Sequence, residues 1–75
     1  MTTFDFGDGN GPVAAHRHPN GGGWVADTAY VAETAYVGSG ARVFGNALVF
    51  GYARVFGYAR VFGYAGKYGN AMVVG

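Results

Sequence analysis

Cysteine is absent from the 75 residues, which excludes disulfides, thiolate metal sites and thiol catalysis. Charge is scarce: five Lys and Arg stand against four Asp and Glu, a formal net charge of +1. Electrostatics alone therefore selects no partner, and nucleic acid in particular is disfavoured. Acid is missing altogether from the second half. Residues 1–38 carry Asp5, Asp8, Asp27 and Glu33 against Arg17, a balance of −3, whereas residues 39–75 carry Arg42, Arg54, Arg60 and Lys67 with no acid, a balance of +4. Long apolar runs are also missing. Glycine and alanine interrupt the 51% apolar share everywhere, and nothing approaches the roughly 18 consecutive apolar residues of a membrane span. The opening Met1-Thr2-Thr3-Phe4-Asp5 lacks the basic-then-apolar order of a signal peptide. The expected setting is cytoplasmic or virion-associated, without membrane contact.

A chain this short buries a small core and is marginally stable alone. Chains of this size add disulfides, a metal or an oligomer interface. With cysteine gone, self-association is the expected supplement.

Two regions are distinguishable. Residues 1–22 are rich in Gly, Asn, Asp and Pro, the punctuation of turns, and hold few apolar residues beyond Phe4, Phe6 and Val13. They are expected to form an irregular N-terminal arm, or a cap if Phe4 and Phe6 dock. Residues 23–75 repeat with a period of six. Valine recurs at Val25, Val31, Val37, Val43, Val49, Val55, Val61 and Val73, and Lys67 alone breaks the column. Two positions earlier stands a small residue, from Gly23 and Ala29 through Ala71. Two positions later stand Asp27, Glu33 and Ser39, then Gly45, Gly51, Gly57, Gly63, Gly69 and Gly75.

Six is a multiple of two and not of 3.6. On a helix these valines would wander around every side; in extended chain the Ala and Val of each A-x-V share one face. Valine and the aromatics favour strands, and a glycine after each strand supplies the positive φ of a sharp turn. Each hexapeptide is predicted to be a short strand and a corner, with the eight valines as core.

The pattern V-x-G-x-A-x, as in Val49-Phe50-Gly51-Tyr52-Ala53-Arg54, resembles the repeat of the hexapeptide-repeat left-handed parallel β-helix family. The resemblance covers residues 23–75. It implies an all-β chain: a triangular left-handed parallel β-helix (solenoid) of about three 18-residue coils, behind the irregular arm. It further implies coils over about 25–42, 43–60 and 61–75, and a homotrimer with a structural role in a bacterial or phage assembly. Two departures bear on activity. Aromatics follow the valines at Phe44, Phe50, Phe56, Phe62 and Tyr68, and residues 23–75 hold neither histidine nor an extruded loop. The family's acyltransfer activity is therefore carried by no residue of the repeat. An acyltransferase-like role would need His16 or His18 in a cleft between subunits.

On the coil map, the outward residues flanking each valine form ladders. One face carries Tyr30 and Leu48 beside Ala32, Phe50 and Tyr68, and it lacks charge except for whatever Lys67 contributes. Exposed aromatics in such number approach the largest apolar patch of an ordinary monomer, roughly 300–600 Å². Tyr30, Leu48, Phe50 and Tyr68 are the expected oligomer interface. Alternatively the ladders stack and stabilise the chain itself. Lys67 sits in an inward slot, where an unpaired ammonium would be costly. It is expected at the C-terminal rim, where its long stem reaches water.

Other chemistry is sparse. His16 and His18 are the sole candidate metal ligands, with no carboxylate beside them in sequence. Asp27 and Glu33 fall on different faces and read as solvated corners. Gly21-Gly22-Gly23 lacks the strand-then-helix context of a phosphate loop and reads as a link. Arg42, Arg54 and Arg60 alternate with aromatics, which suits either cation–π packing within the ladder or a surface for single-stranded nucleic acid or glycan. No catalytic residue and no cofactor is assigned. The leading expectation is a self-associating structural module, with the Arg–aromatic binding module second.

Overall fold

The computed structural model describes residues 2–75. From Trp24 onward the chain alternates very short strands with corners: β3 (Trp24–Ala26), β4 (Tyr30–Val31), β5 (Tyr36–Val37), β6 (Arg42–Val43), β7 (Leu48–Val49), β8 (Arg54–Phe56), β9 (Arg60–Val61), β10 (Gly66–Lys67) and β11 (Met72–Val74). Two strands precede them, β1 (Thr3–Asp5) and β2 (Pro12–Arg17). Strand length is set by the repeat. After each valine and the residue that follows it, the backbone turns, and the alanine N–H closes a four-residue turn onto a carbonyl three residues back. Ala29 donates to Ala26 (2.9 Å), Ala41 to Gly38 (2.9 Å) and Ala71 to Tyr68 (3.1 Å).

The corners come in two kinds. In Phe50-Gly51-Tyr52-Ala53, Gly51 takes φ +65° at the first central position, and no non-glycine residue among those described has positive φ. That combination marks a type II′ turn. Gly45, Gly57, Gly63 and Gly69 repeat it. In the first pass, Asp27 and Glu33 stand where these glycines would be, so those corners use negative φ. There the next residue ties down the neighbouring corner: the Thr28 and Thr34 hydroxyls donate to the carbonyls of Gly45 and Gly51.

The strands assemble into three short sheets, ordered β1-β2-β3-β6-β9, β10-β7-β4 and β11-β8-β5. Parallel pairing joins residues eighteen apart: Val25 to Val43 to Val61, Val31 to Val49 to Lys67, and Val37 to Val55 to Val73. The inward side chains of all three sheets meet in one core. Val25, Val37, Val43, Val49 and Val55 are fully buried with Ala35, Ala41 and Ala47, and Val31 and Val73 pack at its margins.

This arrangement corrects the architecture expected from the repeat. No continuous left-handed parallel β-helix is found. The strands are two or three residues long, they belong to three separate sheets, and the largest sheet is mixed rather than parallel. The mixed pairing of the largest sheet has its source in the N-terminal segment, which is a regular hairpin rather than an irregular arm. β1 and β2 form an antiparallel hairpin, Phe4 opposite Val13, and β2 pairs antiparallel with β3, His16 opposite Val25. The turn formers of residues 7–11 are the hairpin loop: Gly7, Gly9 and Gly11 have φ of +73°, +91° and +67°. The Asp5 carboxylate accepts the Gly7 N–H at 2.8 Å, and Asp8 that of Asn10 at 3.1 Å. Such side-chain turns favour reversal over extension.

The hairpin folds back over the outward face of its own sheet. Phe4 stacks on Trp24 (centroids 4.7 Å apart) and Phe6 on Phe44 (5.0 Å). Phe6, Ala15, Ala26 and Phe44 form a second buried cluster. The loop after β2 covers an edge of β5 as well, with Val37 N–H bonded to Asn20 O (3.0 Å) and Gly23 N–H to Val37 O (2.9 Å).

Close stacking of the corners makes a prediction. A Cβ on Gly45 would lie 2.9 Å from the Gly63 backbone nitrogen, whereas one on Gly63 meets nothing within 4 Å. Both positions have left-handed φ, which costs an L-residue about 1 kcal/mol. Gly63→Ala is expected to lose about that much in urea denaturation. Gly45→Ala is expected to lose at least about twice as much, because backbone must also move. Equal losses would mean that the corners are not in contact.

Candidate functional site

The three sheets present three outward walls with different chemistry. The first, on β3, β6 and β9, is largely occupied by the chain itself. Arg17 lies over the Trp24 ring at 4.7 Å and Arg42 over Phe4 at 5.0 Å, so these two guanidiniums are spent on internal cation–π contacts. Phe44 is buried under the hairpin and stacks on Phe62 at 5.2 Å.

The second wall, on β4, β7 and β10, has no such cover. It holds all four residues singled out from sequence. Tyr30 is 51% exposed, Leu48 40% and Tyr68 65%, with Phe50 half-buried between the tyrosines. The register explains this grouping: Tyr30 pairs with Leu48 and Leu48 with Gly66. Phe50 stands 5.4 Å from Tyr30 and stacks nearly parallel on Tyr68 at 5.8 Å. Gly66 makes room for this column, since a Cβ there would lie 2.7 Å from the Tyr68 hydroxyl. Lys67, opposite Val49 in the terminal strand β10, is half-buried and forms no ion pair among the described residues.

The third wall, on β5, β8 and β11, is indented. Tyr36, Arg54 and Met72 form one column and Gly38, Phe56 and Val74 the next. A groove of about 500 Å³ runs along this wall, lined by Asn20, Thr34, Tyr36, Tyr52, Arg54 and Phe56. The alternation of Arg54 with aromatics was readable from the sequence, but the groove was not. Tyr36, Tyr52 and Arg54 come from the repeat, whereas Asn20 arrives by tertiary folding and left no signal.

The two candidate metal ligands have separate engagements. His16 Nδ1 lies 2.7 Å from Asp27 Oδ1 on the surface. His18 is buried, with Nε2 2.8 Å from the Ala35 carbonyl, which also accepts from Asn20 Nδ2 at 3.1 Å. Nε2 must therefore carry the proton in that bond. Asp27 is the carboxylate that sequence adjacency could not supply: it comes from the corner after β3 once β2 pairs there. Among the described residues no three His, Cys, Asp or Glu side chains gather as a metal centre, and no helix is long and apolar enough to cross a membrane.

The comparisons with known proteins were negative: no protein-family model, no curated protein and no solved structure matches this chain.

Proposed function

We propose that the protein is a non-catalytic structural module that associates with copies of itself through the second wall. The observation that carries this reading is an uncharged outer surface on which Tyr30, Leu48 and Tyr68 remain open to solvent around Phe50. Together they expose apolar surface on the order of 300 Å², at the lower edge of the largest patches on ordinary monomers. On a chain of 75 residues that is a large share of a small surface. A ring of three walls facing one axis, or a twofold pair, removes it from water; both are closed symmetries.

The alternatives have less support. Two of the arginine–aromatic contacts are internal to the first wall, which withdraws them from nucleic acid or glycan. Of the two candidate bases for an acyl transfer, His18 is buried with its Nε2 on the Ala35 carbonyl, and His16, whose Nε2 is left open beside Asp27, is exposed on the surface and lies outside the groove of the third wall.

Leu48→Glu combined with Tyr68→Glu tests the proposal. Charge placed in an association surface opposes it strongly, while both residues are exposed enough to leave the core alone. Light scattering should give an oligomer for the unaltered chain and the single-chain mass of 7.8 kDa for the double variant. Circular dichroism should be unchanged. Tyr58→Glu, at a corner where Tyr58 is 82% exposed, should leave the oligomer intact. Persistence of the oligomer in the double variant would sink the proposal.

A further inference from the structure

Among the described residues, Arg54 forms no ion pair, no hydrogen bond and no cation–π contact, unlike Arg17 and Arg42. It stands exposed in the groove of the third wall, flanked by Tyr36, Tyr52 and Phe56. The groove's volume of about 500 Å³ falls within the roughly 300–1,000 Å³ of small-molecule sites. Its walls are fixed by structure around them. Thr34 is tied by its hydroxyl to Gly51, and Asn20 by its amide to Ala35 at 3.1 Å. Phe56 is half-buried against Gly38, whose position would place a Cβ 3.4 Å from the Phe56 Cα.

These features call for two ligand elements. A guanidinium with all its donors free matches the oxygens of a phosphate, which it binds in a two-pronged fashion. The rings of Tyr36, Tyr52 and Phe56 offer flat apolar surface to a planar ring. No acidic side chain lines the groove to repel an anion. We infer that this groove is a binding site for a small molecule joining a planar aromatic ring to a phosphate, with Arg54 holding the phosphate and the tyrosines and Phe56 the ring. The site lies on a different wall from the proposed association surface and does not depend on it.

The test is an NMR titration of the full chain with three probes: adenosine 5′-monophosphate, adenosine and inorganic phosphate. The monophosphate should shift the signals of Tyr36, Tyr52 and Arg54 saturably, with a Kd on the order of 1 mM or tighter. Adenosine and phosphate should each bind at least about tenfold more weakly, because each satisfies one half of the site. Arg54→Gln should weaken the monophosphate about tenfold, while Arg60→Gln, on the first wall, should not. Absence of a saturable shift would overturn the assignment. So would equal binding of phosphate alone, or an unchanged affinity in Arg54→Gln.

Discussion

Val43→Asp is expected to leave the chain without a cooperative unfolding transition at room temperature. Val43 is fully buried, between Val25 and Val61, which are 0% and 2% exposed. The substitution removes about 2 kcal/mol of apolar burial and puts a carboxylate where no described cation stands in the same column. Burying that group costs several kcal/mol more, or forces it to take up a proton. A chain of this length has about 4–11 kcal/mol of stability in total, so the loss consumes most or all of it. Val43→Ala serves as the control: it should stay folded and lose about 2 kcal/mol in urea. Position 49 is a poorer choice for the experiment, because Lys67 is its neighbour in register and could pair with a new carboxylate. A folded Val43→Asp chain with an unchanged urea midpoint would show that the valine column is not the core.

Phe6→Ala is expected to cost about 3 kcal/mol and to do so locally. Phe6 is 1% exposed and packs on Phe44, beside Phe4 on Trp24. Without it the hairpin keeps its backbone pairing to β3 but loses the cluster that holds it against the first wall. Amide exchange should therefore accelerate at Phe4, Val13 and Ala15, and Phe44 should become exposed. Val49 and Val55, which face the other cluster, should keep their protection. Phe62→Ala is the counterpart: Phe62 is 57% exposed, and its loss should cost less than about 1 kcal/mol. Uniform acceleration across both clusters would show that hairpin and sheets unfold as one unit.

The six-residue period made part of this molecule legible. It identified the inward valines, because a residue repeated at even spacing in extended chain stays on one side, and it identified the glycine corners, because only glycine takes their φ without strain. The period alone did not determine how the strands associate; the eighteen-residue register implied by the family resemblance is the one the parallel pairs show, but the antiparallel strands were missed. A local repeat specifies strand and corner; whether the sheets run on as a β-helix depends on what meets their edges. Here a hairpin from residues 3–17 joins the first sheet antiparallel. Its glycine-rich loop read as turns in an irregular arm, and its partner Trp24 lies beyond a second glycine cluster, so the pairing left no local trace. His18 was misjudged for the same reason. It offered only a candidate metal ligand, and tertiary folding buries it on Ala35. The outward grouping of Tyr30, Leu48, Phe50 and Tyr68 was legible once the eighteen-residue coil implied by the resemblance was laid over the spacing. The groove at Arg54 was not legible, because Asn20 reaches it only through tertiary folding.

The central claim is self-association through the uncharged wall, and the most direct measurement is the solution mass of the unaltered chain by light scattering over a wide concentration range. A closed oligomer is expected, with a mass two or three times 7.8 kDa that does not grow further with concentration. A well-folded monomer throughout that range would contradict it.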